Sequence, residues 1–177
     1  MIRLNWSFYE GTLEMKIIGN INLDIRPSVN RFIAKEIKKY VAWLEVNHSL
    51  PKELRIIVTG VSFIRSIDHE HVISTFWAPF DKEEACYMKI STGDFWELEK
   101  WGKDSAIYST LNSISHELIH YHQWLEDKEL HGNETDKKAT LLTNEYVEYR
   151  GFPHGENRIH RWGWSGIPKY RKYKKTL

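Results

Sequence analysis

The sequence predicts an α+β domain, because strand-like and helix-like segments are separated along the chain. In the first half, β-branched and aromatic runs lie between turn residues, which is the pattern of strands in a sheet. In the second half, apolar residues recur at helical spacing over two long segments, at about 105–126 and 134–150. Strands that are segregated from paired helices are typical of layered α+β domains.

The remaining elements are predicted in the same way. Strands are predicted at 3–23 (one or two short strands around Gly11), 54–60, 71–80 and 84–92. Helices are predicted at 28–47, where apolar residues recur every three or four positions, and over a short segment at 93–102. Gly151 and Pro153 are expected to end the last long helix, since both residue types are frequent just beyond helix C-termini.

Length, composition and charge exclude several classes of protein. At 177 residues the chain suits a single domain. Its one cysteine rules out an intrachain disulfide, and its net charge of +1 gives no overall field that favours nucleic acid. No stretch approaches the ~20 apolar residues that span a bilayer, and the N-terminus has no apolar signal-peptide core. We therefore expect a cytoplasmic protein with no membrane partner.

Basic charge is concentrated at the C-terminus. Residues 154–177 carry seven Lys or Arg residues and one acidic residue, interleaved with tryptophan and tyrosine. The chain is accordingly divided into one domain at 1–153 and a basic aromatic tail at 154–177. Cationic side chains beside aromatic rings suit single-stranded nucleic acid, and such a tail also suits an acidic protein partner.

The strongest chemical signal is the pentapeptide His-Glu-Leu-Ile-His at 116–120. In a helix His116 and His120 project from one face, so both imidazoles can bind one Zn²⁺. Glu117 points away from that line and can take a proton from a water molecule as a general base. A stripe of apolar residues on the opposite side of the helix is expected to pack on the domain: Ile107, Leu111, Ile114, Leu118 and Leu125.

A catalytic zinc takes a third protein ligand in addition to the two histidines. The following turn and helix offer His131, Glu134, Asp136 and Glu145, whereas His122 points elsewhere on the first helix. The residues alone leave the choice among these four open.

The segments HELIHYHQWLEDKEL and ETDKKATLL resemble the small bacterial and phage zincins of the gluzincin type. The resemblance implies a minimal zincin-like domain, in which a short twisted sheet packs against an active-site helix at about 105–126 and a ligand helix at about 134–150. It also implies the two histidines of the motif as zinc ligands and Glu117 as the base.

For the third ligand, this resemblance points to Asp136, three residues before Ala139, the small residue that lets the two helices approach closely. The family usually has Glu at this position. Asp is one methylene shorter, so the helices must lie closer together, or Glu134 must serve instead.

A second resemblance is to the SprT-like metalloproteases, which are DNA-associated. These proteins place a third histidine shortly before a glycine in the turn after the motif, and His131 precedes Gly132 here. Their downstream zinc ribbon has no counterpart, because the chain has one cysteine. In zincins of the first type, a strand before the active-site helix lines the cleft and binds substrate as an added strand. The segment 84–92 is the candidate for this strand.

Metallopeptidases often use a histidine, tyrosine or arginine to stabilise the oxyanion of the tetrahedral intermediate. The candidates for this role are His154, Tyr146, Tyr149 and Arg150.

The sequence therefore predicts a zinc-dependent metallopeptidase that hydrolyses peptide bonds in a peptide or protein substrate. Zinc is the expected cofactor. Two other hypotheses remain: a SprT-like, DNA-associated protease, and a non-catalytic zinc-binding module whose basic tail binds nucleic acid or protein.

Overall fold

The described part of this computed structural model comprises residues 4–9, 12–17, 21–66, 69–130 and 132–152. For 4–17, Gly132 and Asn133 the description covers the backbone alone. The predicted tail at 154–177 and His131 therefore lie outside the described residues.

The described elements comprise strands and helices in mixed order along the chain. The strands are β1 (Leu4–Tyr9), β2 (Thr12–Ile17), β3 (Ile21–Ile25), β4 (Leu54–Thr59), β5 (Ile64–Arg65), β6 (His71–Val72), β7 (Ser74–Trp77) and β8 (Cys86–Ser91). The helices are α1 (Arg31–Asn47), α2 (Phe95–Glu99), α3 (Lys103–Leu125) and α4 (Gly132–Arg150). Among the described helices, none has the length and apolar character needed to cross a bilayer.

The main sheet has four strands in the order β3-β4-β8-β7. Strands β3, β4 and β8 are parallel, and β7 runs antiparallel to β8 at the edge of the sheet. The pairs β1–β2 and β5–β6 form separate two-stranded antiparallel ribbons. The antiparallel edge strand β7 is the part of the sheet that contacts α3 most extensively.

One face of the sheet forms the core together with the helices. Alternate residues of β4 are buried, namely Leu54, Ile56 and Val58, and they pair in register with buried residues of β8. This period of two is that of a strand with one buried face. Apolar side chains of the helices complete the core: Ile33, Ile37, Leu44, Leu111, Ile114 and Leu118.

Helices α3 and α4 pack closely in opposite directions. Three small residues of α4 at intervals of four, Thr135, Ala139 and Thr143, have no exposed surface. Residues spaced by four lie on one side of a helix, so this stripe faces the interior. The side chain of Thr135 contacts Gln123 near the end of α3, and that of Thr143 contacts Asn112 more than two turns earlier.

Buried hydroxyl groups join these two helices to α1. The Ser115 hydroxyl of α3 hydrogen-bonds the Tyr40 hydroxyl of α1 at 2.6 Å and the Thr143 hydroxyl of α4 at 2.7 Å. The Thr143 hydroxyl also lies 3.1 Å from Asn112 Oδ1. Since these groups are buried, each hydrogen bond offsets the cost of removing polar atoms from water.

The predicted α+β class is confirmed, and so are the predicted helices, which correspond to α1, α2, α3 and α4. Four of the five residues of the predicted apolar stripe on α3 are buried, and Leu125 is partly buried against the core. Gly151 follows α4 with a φ of +76°, a left-handed conformation that glycine adopts readily, as expected for the end of this helix.

Two strand predictions are wrong. The segment 71–80 forms two short strands, β6 and β7, and not one. The segment 84–92 does not line the edge, because β8 lies between β4 and β7 and hydrogen-bonds both. Paired on both sides, β8 buries Cys86, Met88 and Ile90 in the interior of the sheet. The edge position belongs to β7, which precedes it in the chain.

Replacing Ser115 by alanine is expected to lower the free energy of unfolding by about 1–2 kcal/mol, because the buried hydroxyls of Tyr40 and Thr143 each lose a partner. Urea unfolding followed by circular dichroism measures this change. The matched control is Ser113→Ala on the same helix, where a buried hydroxyl bonds the Ser109 carbonyl within α3. Equal losses in the two variants would contradict the role of Ser115 in joining the helices.

Candidate metal centre

The two histidines of the motif face each other on α3. His116 Nε2 and His120 Nε2 are 3.0 Å apart, and the ring planes are tilted by 80°. Two nitrogen ligands of one tetrahedral zinc, each bound at 2.0–2.1 Å, lie about 3.3 Å apart. The two Nε2 atoms are therefore at nearly the separation that one shared zinc ion requires.

The opposite ring nitrogens face oxygen atoms. His116 Nδ1 lies 3.1 Å from Asp136 Oδ1 on α4, and His120 Nδ1 lies 2.8 Å from Gln123 Oε1 one turn further along α3. An oxygen acceptor beside Nδ1 favours the tautomer that carries its proton on Nδ1. The contact of His120 has hydrogen-bond geometry, whereas Asp136 lies at ion-pair distance from His116 Nδ1 without it. In that tautomer the lone pair of each ring is on Nε2, on the side that the two histidines share.

A hydrogen bond between the two Nε2 atoms conflicts with this arrangement. It requires one ring to carry a proton on Nε2. With the side chains as placed, that ring is then doubly protonated or has a bare Nδ1 facing an oxygen atom. Burial lowers the pKa of both rings, and for His116 the neighbouring His120 lowers it further; Asp136 acts in the opposite direction on both. Neutral rings are thus favoured, and a metal cation between the two lone pairs satisfies both.

Glu117 is buried between α3 and the edge strand. Its side chain is 4% exposed, and Oε1 accepts a hydrogen bond from the Ser74 hydroxyl of β7 at 2.6 Å. The backbone N–H of Phe76 on the same strand also donates to this carboxyl. Burial raises the pKa of Glu117 to about 7, against the lowering effect of the two hydrogen bonds. A carboxyl with this pKa is suited to accept and return a proton near neutral pH.

Among the described residues, no further candidate ligand lies beside the two Nε2 atoms. In the part of the chain that the structure describes, no three His, Cys, Asp or Glu side chains are grouped so that they could hold one metal ion. Asp136 lies close, but against Nδ1 of His116 and not beside the two Nε2 atoms. That is the position of a carboxylate that orients a histidine ligand.

The other candidate ligands are further from this arrangement or outside the described residues. Glu134 is exposed and pairs with Lys138 at 2.8 Å. Glu145 is exposed and lies 4.0 Å from His48 Nε2, two to three turns along α4 from Asp136. His131 is outside the described residues.

Tyr146 and Arg150, two of the described oxyanion candidates, have their contacts away from the histidines. Tyr146 is buried against Tyr40, with ring centroids 4.8 Å apart, and against Trp43. It lies about 15 Å along α4 from Asp136 at 1.5 Å per residue. Arg150 forms an ion pair with Glu36.

The two remaining oxyanion candidates are Tyr149 and His154. Tyr149 is 75% exposed near the end of α4. His154 lies outside the described residues.

Three side chains of the site were missed by the sequence reasoning: Ser74, Gln123 and Thr135. Gln123 follows His120 by three residues, a spacing that places both on one side of a helix, so this contact has a sequence signal. Ser74 and Thr135 reach the site through the position of β7 and the packing of α4, which a single sequence does not reveal.

Comparison with known proteins adds no assignment, because no family model, curated protein or solved structure matches this chain. Functional inference therefore depends on the geometry of the site itself.

Replacing Glu117 by glutamine is expected to raise the free energy of unfolding of the metal-free protein, and this gain over wild type is expected to grow as pH rises. The unfolded carboxyl ionises near pH 4.5, whereas the folded one keeps its proton until about pH 7. Between these values folding opposes ionisation, so the wild type loses about 1.4 kcal/mol per pH unit relative to the variant. Chemical unfolding in the presence of a chelator is expected to show a gain of about 3 kcal/mol for Glu117→Gln at pH 8 and little gain at pH 4.5.

The matched control for this measurement is Glu148→Gln, since Glu148 is an exposed glutamate on α4. Its free energy of unfolding is expected to stay within about 0.5 kcal/mol of wild type. If the gain in unfolding free energy for Glu117→Gln were the same at both pH values, the pKa of Glu117 would not be raised in the folded protein, and the prediction would be contradicted.

Proposed function

We propose that this chain is a zinc-dependent metallopeptidase of zincin-like architecture that hydrolyses peptide bonds in a cytoplasmic peptide or protein. One observation carries the proposal: two Nε2 atoms converge at 3.0 Å on α3, and the residue that follows the first of these histidines is a buried glutamate with a raised pKa. Paired imidazoles with an adjacent carboxyl base are the parts that hydrolysis at a zinc ion needs.

His116 and His120 would hold the metal. Asp136 is the third residue of the proposal, either as a direct ligand after a change of rotamer or as the acceptor that orients His116. Bound zinc supplies a Lewis acid that lowers the pKa of a water molecule and polarises the scissile carbonyl. Both imidazoles are favoured in the neutral form, which is the form that binds metal.

Glu117 would act as the general base. Its carboxylate accepts the proton of the attacking water and returns it to the leaving amine. The hydrogen bonds from Ser74 and the Phe76 backbone hold this carboxyl in one orientation. Because it is held by β7, the proton acceptor lies next to the edge strand of the sheet.

The edge of β7 supports a peptide as the substrate class. One side of β7 hydrogen-bonds β8, and in the four-stranded sheet no strand follows on the other side. An extended peptide can add to such an edge through main-chain hydrogen bonds, at main-chain groups other than the Phe76 N–H, which donates to Glu117. A peptide bound there would run past Glu117, since Ser74 and Phe76 belong to the same strand.

Zinc analysis of purified protein tests the metal site. We expect one zinc per chain in wild type and none in His116→Ala. The matched control is His122→Ala, a partly buried histidine on the same helix that faces Tyr121 and Glu126, and it is expected to keep the zinc. Wild-type protein that takes up no zinc when zinc is offered would contradict the proposal.

Hydrolysis of a broad peptide pool tests the reaction. Glu117→Gln is expected to keep the zinc and to lose at least about 100-fold in rate, the usual contribution of general-base catalysis. Zinc bound with no Glu117-dependent hydrolysis would point instead to the non-catalytic zinc-binding module.

Ser74→Ala is expected to lower kcat about tenfold or more with unchanged zinc content, because a hydrogen bond to a charged group contributes about 1.5–3 kcal/mol. The neighbouring Thr75→Ala is the control, since successive residues of a strand point to opposite faces of the sheet. Equal rates for wild type and Ser74→Ala would remove Ser74 from the proposed machinery.

A further inference from the structure

Gln123 links one histidine of α3 to the first turn of α4. Its Oε1 lies 2.8 Å from His120 Nδ1, and its Nε2 donates to the Thr135 hydroxyl at 3.1 Å. Gln123 is 7% exposed and Thr135 is fully buried. Both ends of the amide are thus occupied in a site from which water is largely excluded.

We propose that Gln123 is a positioning residue for metal binding, which fixes His120 in the tautomer with its proton on Nδ1 and its lone pair on Nε2. The proposal deepens the proposed zinc site and rests on it. In water, a neutral imidazole prefers the proton on Nε2, the nitrogen that must be free to bind metal here. The Gln123 carbonyl oxygen reverses that preference by accepting the Nδ1 proton, as outer hydrogen-bond partners of metal-bound histidines do.

Thr135 gives this contact its direction. The Thr135 hydroxyl lies 3.1 Å from the amide nitrogen of Gln123 and 3.4 Å from its amide oxygen. The shorter contact, to the nitrogen, is the one that leaves the amide oxygen directed towards His120 at 2.8 Å. The next residue, Asp136, lies against Nδ1 of His116. Two consecutive residues of α4 therefore act on the two rings, Asp136 directly and Thr135 through Gln123. Orientation of both histidines depends on how the first turn of α4 is packed.

Zinc affinity, measured by competition with a chromophoric chelator, tests the proposal on the full chain. Gln123→Met keeps the length of the side chain but removes the acceptor, and it is expected to weaken zinc binding about 10–100-fold. Gln123→Glu restores an oxygen acceptor for His120 and is expected to stay within about threefold of wild type. A merely structural role for Gln123 predicts no such rescue by glutamate.

The tautomer itself is a second measurement, made without metal. Long-range ¹H–¹⁵N NMR spectra of the histidine rings identify which nitrogen carries the proton. We expect His120 to be protonated on Nδ1 in wild type and in Gln123→Glu, and on Nε2 in Gln123→Met. Thr135→Val is expected to give a mixture, since the amide loses the partner that fixes its direction.

The two measurements separate the possible failures. Wild-type His120 protonated on Nε2, or zinc binding by Gln123→Met at wild-type strength, would overturn the positioning role, whereas the zinc site itself could still stand. Wild-type protein that binds no zinc but carries the His120 proton on Nδ1 would overturn the proposed function and support the orientation by Gln123. The wild-type spectrum decides the tautomer even if Gln123→Met does not fold.

Discussion

The close packing of α4 on α3 is the constraint on which the candidate site depends. Thr135, Ala139 and Thr143 present small side chains to the interface, and all three are fully buried. Larger residues at these positions would separate the helices and carry Asp136 away from His116. The hydroxyls also replace hydrogen bonds to water, through Gln123 at one end and Asn112 at the other. Shape and polar pairing thus act together to place the start of α4 beside the histidines.

The same packing brings ionisable groups into a poorly solvated place. Burial opposes the charged forms of His116 and His120 and raises the pKa of Glu117 to about 7. The raised pKa of Glu117 costs folding free energy at neutral pH, and the lowered pKa values of the two histidines cost it below about pH 6.5, where the unfolded rings are protonated. Neutral imidazoles and a weakly acidic carboxyl are, however, the forms that metal binding and proton transfer use. Ionisable groups that lower the stability of the fold but have the protonation states needed for catalysis are typical of a functional site.

The sequence was sufficient for the helices and for the approach of the two motif histidines, because both depend on local spacing. The 3.6-residue period predicted α1, α3 and α4, and the interval of four placed His116 and His120 together. Strand order is set by contacts distant in sequence, so 84–92 was mistaken for the edge strand that β7 forms. The contacts of Ser74 and Asp136 depend in the same way on tertiary packing, and neither could be derived from spacing.

The central claim is that the two imidazoles of α3 bind one zinc ion through Nε2. X-ray absorption at the zinc edge, on protein loaded with one equivalent of zinc, tests it most directly. The account predicts nitrogen and oxygen ligands at about 2.0–2.1 Å with the outer-shell scattering of two imidazole rings, and loss of one ring's contribution in His120→Ala. A zinc spectrum with oxygen ligands alone, unchanged by that substitution, would contradict it.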